Sequence, residues 1–261
     1  MTTSESAAID KPRSASRKSA NPTKYLYCVA SFTLLLLMLV GFQQFYLHGK
    51  AFPNRSIAPP IFGLVIVHGV TMSLWIMLLV QQSFLIINRK HKFHNTFGKI
   101  GAVLAIVIFI SGFKLAIESA RIAPPEAMLW NLNFKQFLVF PMITIFLFAG
   151  FVTVGVLKRK NPAIHRPMML MASITAVAAA ADRIPVITSL YANSIVGSLL
   201  GPMAFPFFFG LILMIVQYAL SRSIERTLVI AWAIVVVLGA CAMQIAPTPA
   251  WDSIANILYR F

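Results

Sequence analysis

The amino-acid sequence predicts an all-α integral membrane protein: a bundle of seven transmembrane helices with a cytoplasmic N-terminus and the C-terminus outside. Of the 261 residues, 59% are apolar and only 11% are charged, against roughly 25% charged residues in soluble domains. The apolar residues form seven stretches near the length of about 20 residues that a helix needs to cross a bilayer. The basic residues between these stretches are concentrated in alternate loops, as the rule for cytoplasmic loops requires.

The seven predicted spans together form a transmembrane domain over residues 24–244. In chain order they cover residues 25–47, 61–87, 98–118, 134–157, 167–190, 199–220 and 227–244. Long continuous apolar runs favour helices over the alternating strands of a membrane barrel. The fifth span is unusual because Asp182, Arg183 and Pro185 fall inside it.

Both ends of the chain differ from the apolar centre. Residues 1–23 are rich in Ser, Ala, Lys and Arg without apolar periodicity, which predicts a disordered basic tail. The first apolar stretch is longer than the roughly 7–15 residues of a signal-peptide core, so we expect it to stay attached as a helix. Residues 245–261 place Trp251, Ile254 and Leu258 at helical spacing. This predicts an amphipathic helix in the outer interface, with a frayed terminus as the alternative.

The distribution of basic residues predicts the orientation. With seven spans, 15 of the 22 Lys and Arg residues fall on the side of the N-terminus and seven on the other side. The richer side is cytoplasmic, which indicates a multi-pass protein of the cell inner (plasma) membrane. The net charge of +15 would suggest nucleic acid in a soluble protein. The basic residues lie in short loops between apolar stretches. This placement predicts the bilayer and its anionic head groups as partners, and no nucleic acid.

Five ionisable residues are predicted inside the spans or at their outer ends: His68, Lys114, Glu118, Asp182 and Arg183. Such groups cost about 2.5–3.5 kcal/mol at mid-depth, so each is a functional hypothesis. His68 and Asp182 are predicted at a similar depth, about 10 Å from the outer surface. The functional hypothesis is a polar site open to the outside. The alternative is hydrogen bonding between helices, with Lys114 and Arg183 extending to the head groups.

Two other histidines predict a cofactor site. His94 and His165 each follow a basic loop, 71 residues apart, at the cytoplasmic start of a helix. This similarity is explained either by a parallel internal repeat or by the general basic character of cytoplasmic loops. Because both lie at one face, they could share one b-type haem as axial ligands, whereas His68 and His94 are too far apart along their hairpin. We predict no disulfide between Cys28 and Cys241, which lie at opposite faces, and no metal site, because no pair of cysteines has the spacing of metal ligands.

Part of the sequence resembles a group of uncharacterised bacterial multi-pass membrane proteins, over about residues 62–183. The resemblance is carried by a His-x-x-x-Gly step after a basic loop and by a later His-Arg-x-Met element. In this chain the matching residues are His68, Trp75, Gln82, Arg89, His94, Gly98, His165, Arg166, Met168, Asp182 and Arg183. There is also a distant similarity to transmembrane haem-b cytochromes, in that histidines lie on successive helices. That similarity implies at most one haem, because four buried histidine ligands are absent from the pattern.

The residues are compatible with three classes of function. One is a membrane redox protein with haem b on His94 and His165. Another is a transport-related protein that uses the polar residues around His68 and Asp182. The third is a membrane assembly or lipid-interacting protein without catalytic chemistry. The sequence identifies no substrate, does not decide whether the protein is an enzyme, and leaves the oligomeric state open.

Overall fold

A computed structural model describes residues 23–52 and 55–261 and shows an all-α fold with two very short β-hairpins. In chain order the elements are α1 (Thr23–Gly41), α2 (Gln43–His48), β1 (Lys50–Phe52), β2 (Arg55–Ser56), α3 (Phe62–Ile87), α4 (His91–Arg121), β3 (Met128–Leu129), β4 (Leu132–Asn133), α5 (Phe134–Phe137), α6 (Val139–Leu157), α7 (Pro162–Ala181), α8 (Pro185–Ser189), α9 (Ile195–Leu200), α10 (Ala204–Ser221), α11 (Arg226–Ile245) and α12 (Pro249–Leu258). Short 3-10 turns occupy Pro59–Ile61 and Gly201–Met203. The predicted all-α class is therefore confirmed.

Six helical segments of the described chain are long and apolar enough to cross a membrane. They are Pro59–Ile87, His91–Arg121, Phe134–Leu157, Pro162–Ala181, Ile195–Ser221 and Arg226–Ile245. The apolar part of α1, Tyr25–Gly41, is shorter than these six. The length and composition of the six segments are those of a multi-pass membrane protein.

Helix α7 lies at the centre of the bundle, where it contacts α1, α6, α10 and α11. Its inward positions carry small side chains, and Ala172, Ala180 and Ala181 have no exposed surface. Small residues let helix backbones approach closely, which is how helices associate when lipid removes the hydrophobic driving force. The pairs α3–α4 and α6–α7 are helical hairpins with short loops over residues 88–90 and 158–161.

Helix α1 packs along α7 at both of its ends. Near the N-terminal ends, the Arg166 guanidinium lies 5.3 Å from the centre of the Tyr27 ring. Near the C-terminal ends, a Cβ atom on Gly41 would lie 2.2 Å from the carbonyl oxygen of Ala180. The two helices therefore run in the same direction and touch backbone to backbone at Gly41.

Several predicted spans differ from the observed helices. Helix α1 ends at Gly41 rather than at residue 47, and the separate helix α2 follows it. The 3-10 turn Gly201–Met203 lies inside the predicted sixth span, and α10 begins after it. Helix α4 begins at His91 rather than at residue 98, so a polar first turn precedes its apolar part. Helix α7 ends at Ala181 rather than at residue 190. Pro185 lacks the N–H of a helix interior and restricts the residue before it, so the helix has already ended and a new short helix, α8, starts there.

The C-terminal residues form a helix that packs back onto the bundle. Thr248 caps α12 by accepting a hydrogen bond from the Trp251 backbone N–H. The Trp251 indole donates to the Lys135 carbonyl over 2.9 Å, and Lys135 forms an ion pair with Asp252 at 2.5 Å. The predicted interfacial position of this helix stays a prediction. The predicted N-terminal tail lies, apart from Thr23, outside the described residues.

Candidate functional site

The structure brings His94 and His165 together. Each is the fourth residue of its helix, His94 in α4 and His165 in α7, and the two helices begin at the same end of the bundle. The centres of the two imidazole rings are 6.1 Å apart and the ring planes are nearly perpendicular, at 89°. The candidate site therefore joins the two hairpins α3–α4 and α6–α7 through their second helices.

A backbone carbonyl orients the His165 ring. The Nδ1 atom lies 2.8 Å from the carbonyl oxygen of Gly155 on α6. Because a carbonyl oxygen only accepts, Nδ1 carries the proton and Nε2 keeps its lone pair. A hydrogen bond of this kind to the second ring nitrogen accompanies almost every metal-binding histidine in proteins. The His165 ring is thus arranged to present Nε2 as a ligand.

Two buried polar atoms beside this pair have no hydrogen-bond partner within the described chain: Nδ1 of His94 and Oε1 of Gln82. The other end of the Gln82 amide donates to the His94 backbone carbonyl over 3.1 Å, so both residues are held at one place between α3 and α4. A buried polar group without a partner costs about 1–3 kcal/mol, and in native proteins such a group calls for a water or a ligand. Oε1 of Gln82 carries lone pairs, and Nδ1 of His94 carries one in the tautomer protonated at Nε2.

The separation of the two histidine rings is compatible with two ligands to one metal ion. Two imidazoles that bind one metal end-on at metal–nitrogen distances of about 2 Å have ring centres about 6 Å apart. The observed separation of 6.1 Å matches this value. A metal ion would need one nitrogen lone pair from each ring: neutral His165 offers Nε2, and neutral His94 offers whichever nitrogen its tautomer leaves without a proton.

A second cluster at the same end of the bundle was not identified from the sequence. The Glu225 carboxylate, just before α11, accepts a hydrogen bond from the Tyr27 hydroxyl and pairs with Arg166 at 3.0 Å. The Glu225 backbone N–H donates to the buried Gln217 amide over 3.2 Å. Glu225 stands between Arg222 and Arg226 in a basic loop, and this charge reversal is the signal that could have pointed to it. The cluster fixes Arg166, which directly follows His165.

His68 takes part in a hydrogen bond between helices. Its Nδ1 atom lies 3.1 Å from the Ser111 hydroxyl on α4. A Cβ atom on Gly112 would lie 2.8 Å from the imidazole, so the glycine makes room for the ring. This arrangement is the structural alternative considered above, in which polar side chains hold membrane helices together.

Lys114 and Glu118 have surroundings of their own. The Lys114 side chain is exposed, and the Glu118 carboxylate pairs with Arg121 one turn further on, at 3.2 Å. Among the described residues, none of the hydrogen bonds or ion pairs found joins Lys114 or Glu118 to His68 or Asp182.

Asp182 lies at the end of α7 and binds two aromatic side chains. The Trp130 indole donates to Oδ2 over 3.3 Å and the Tyr191 hydroxyl donates to Oδ1 over 3.0 Å. The Trp130 and Tyr191 rings are parallel, with centres 6.1 Å apart. Trp130 and Asn131 have positive φ angles because they form the two-residue turn between β3 and β4. This turn places the indole over Asp182.

The prediction that Asp182 and Arg183 lie inside a helical span is wrong. Asp182 is the C-cap of α7, and Arg183 follows it, so both residues lie beyond the last residue of the helix. The Arg183 guanidinium donates to the Ala179 carbonyl over 2.6 Å and lies 4.7 Å from the centre of the Phe42 ring. Burial raises the pKa of the Asp182 carboxyl to about 6, while the hydrogen bonds from Tyr191 and Trp130 act in the opposite direction by favouring its charged form.

Replacing Asp182 by Ala should destabilise the protein by about 2 kcal/mol or more. The change leaves the Trp130 indole and the Tyr191 hydroxyl without their acceptor. Thermal unfolding of the purified protein in detergent measures the loss. Glu126→Ala is the control, because Glu126 is an exposed acid in the loop before β3 and should leave the melting temperature unchanged. Equal melting temperatures for both variants would contradict the proposed role of Asp182.

Comparisons with known proteins find no match. No family model, no curated protein and no solved structure matches this chain. Among the described residues there is also no group of three or more His, Cys, Asp or Glu side chains that could hold a metal ion, and Cys28 and Cys241 are free thiols. The resemblance and the three function classes stay predictions.

Proposed function

We propose that this chain is a membrane redox protein that holds one b-type haem between His94 and His165. The observation that carries the proposal is the pair of imidazoles with ring centres 6.1 Å apart. One ring is already oriented by a carbonyl, and the other has a buried nitrogen without a partner in the described chain. The bound haem would supply one-electron transfer between its ferric and ferrous states.

The residues of the chain would bind and orient the cofactor. His94 and His165 would supply the two nitrogen ligands that hold the haem iron, from the first turns of α4 and α7. The Gly155 carbonyl holds the His165 tautomer, and the Gln82 amide holds the backbone at His94. The ion pair of Arg166 with Glu225 fixes the turn of α7 that carries His165. Rigid helix ends of this kind keep ligand geometry more accurately than loops do.

Absorbance of the purified protein tests the proposal. Protein produced with haem available, or titrated with haem after purification, should show a Soret band and a sharp visible band on reduction. A band that forms at one haem per chain supports the site. A full-length protein that folds but stays colourless after haem addition would overturn the proposal.

We also propose that α1 crosses the membrane, which gives seven crossings with a cytoplasmic N-terminus in the inner membrane of a bacterial cell. The 19 residues of α1 extend about 28 Å at 1.5 Å per residue, and α1 packs against α7 at both ends. The N-terminal ends of α1, α7 and α11 meet in the cluster of Tyr27, Arg166 and Glu225, as alternating crossings require. The basic loops at this end would contact anionic head groups.

Reporter fusions at the two termini should give opposite compartments. An alkaline phosphatase fusion should be active at the C-terminus and inactive at the N-terminus, while a cytoplasmic fluorescent reporter should show the reverse. The physical reason is the odd number of crossings, with the basic loops kept inside. The same compartment for both termini would show that α1 does not span.

A further inference from the structure

The connection between α7 and α10 is uncharged after Arg183. Residues 184–221, which include the short helices α8 and α9, contain no Lys, Arg, Asp or Glu. The other two connections at this end of the bundle contain charged residues: Lys50 and Arg55 between α1 and α3, and Glu126 between α4 and α6. About a quarter of the residues in soluble domains are charged. The composition of α8 and α9 therefore indicates surroundings other than bulk water.

The outward faces of α8 and α9 are apolar. Val186, Leu190 and Ile195 are 75%, 78% and 80% exposed. Residues four apart share one face of a helix, so Val186 and Leu190 form one outward apolar stripe. The next residue, Tyr191, points inward, where it is buried and bonds to Asp182. A helix at a water surface carries polar side chains on its outward face, which is the opposite of this arrangement.

A polar stripe borders the apolar one. Ser189 and Asn193, which are also four residues apart, are both exposed. The segment therefore has an inward face that packs on the bundle, an outward apolar face and a polar edge. Helices that lie in the plane of a membrane interface combine an apolar face toward the acyl chains with a polar face toward the head groups.

The position of α9 along the bundle agrees with the surface of the bilayer core. The 18 residues of α10 extend about 27 Å at 1.5 Å per residue, close to the hydrocarbon thickness of about 30 Å. Gly201, with a φ of 55°, turns the chain between α9 and α10. Helix α10 thus nearly completes the crossing by itself, and α9 lies where the hydrocarbon core meets the head groups.

We propose that the segment Pro185–Leu200 lies in the membrane interface, with lipid as the partner of its outward face. The apolar stripe and Ile195 contact acyl chains, and the polar stripe contacts head groups. The same surface continues along α10, where Ile212 and Ile215 are exposed within a candidate span. This continuity favours lipid over a soluble protein as the partner. The inference holds for either orientation of the chain and does not depend on the proposed haem.

The depth of spin labels in proteoliposomes tests this position. In full-length protein with Cys28→Ala and Cys241→Ala, either Leu190→Cys or Ile195→Cys carries a nitroxide label. Both positions are exposed, so the substitutions leave the packing of the bundle intact. Oxygen dissolves preferentially in lipid and a polar nickel complex stays in water, so the ratio of their collisions with the label measures depth. Both labels should lie about 5–10 Å below the head-group boundary.

Two further single cysteines give the matched references. Ile110→Cys, exposed within α4, should report lipid, and Glu126→Cys, exposed in the loop before β3, should report water. Labels at Leu190 and Ile195 that are as accessible to nickel as the label at Glu126 would overturn the proposal, and would leave a soluble protein as the partner of this face. Labels shielded from both reagents would also overturn it, because a second copy of the chain would then cover the face.

Discussion

Replacing His165 by Ala is expected to abolish the Soret band of the haem-loaded protein, and His94→Ala should do the same. Each change removes one of the two imidazoles whose ring centres are 6.1 Å apart. Changes to residues that merely orient a metal ligand cost about 10–100-fold in affinity, so loss of an axial ligand itself should exceed that range. Haem titration followed by absorbance measures the effect. Added imidazole should restore part of the band, since it supplies the missing nitrogen.

His91→Ala is the matched control for this series. His91 is the first residue of α4, three positions before His94, and its side chain is exposed. Its removal should leave the Soret band and the haem affinity unchanged. If His91→Ala removes the band as strongly as His94→Ala, or if His165→Ala retains a full band with unchanged affinity, His94 and His165 are not the axial pair.

Gly41→Ala is expected to destabilise the protein strongly. The added Cβ atom would lie 2.2, 2.7 and 2.8 Å from the carbonyl oxygen, carbonyl carbon and Cα atom of Ala180. All three are backbone atoms of a helix, so no side-chain rotation relieves the clash. Overpacking typically costs about 1–3 kcal/mol, and this site should lie at or above the upper limit. Helix α1 must move away from α7, which also weakens the contact of Tyr27 with Glu225.

Thermal unfolding in detergent, together with the amount of folded protein in the membrane, measures this effect. Gly150→Ala is the matched control, because Gly150 also lies within a helix and a Cβ atom there meets nothing within 4 Å. The control should keep or slightly raise the melting temperature, since Ala is the better helix former. Equal stability of the two variants would show that α1 is not packed against α7 at Gly41.

Much of the fold follows from the sequence because lipid imposes one strong constraint. Backbone polar groups must be satisfied within each span, so apolar runs of sufficient length become helices. The predicted 134–157 span agrees with the observed Phe134–Leu157 segment for this reason. Helix ends were less predictable, because near the membrane surface water can satisfy backbone polar groups and the chain is no longer required to be helical. The polar first turn of α4 and the stop of α7 at Ala181 depend on local hydrogen bonds and on Pro185 rather than on hydropathy.

The candidate site was partly predictable from the sequence. A shared loop pattern pointed to His94 and His165, and the helical hairpins bring their rings together. The sequence could not show that Oε1 of Gln82 and Nδ1 of His94 would be buried without partners in the described chain, because burial depends on helix rotation. The sequence predicted that both His68 and Asp182 lie inside helical spans. In the structure His68 lies within α3, but Asp182 is the C-cap of α7.

The contact between Tyr27 and Glu225 has a consequence for biosynthesis. These residues are 198 positions apart along the chain, whereas the hairpins α3–α4 and α6–α7 join neighbouring segments. During translation each hairpin can form as soon as its second helix has entered the bilayer, in keeping with domain assembly during synthesis. Helix α1 can pack against α3 as soon as α3 is inserted, but its contacts with α7 and α11 form only after those later helices have been synthesised. A nascent chain that stops before Glu225 therefore lacks the carboxylate that the Tyr27 hydroxyl contacts in the finished fold.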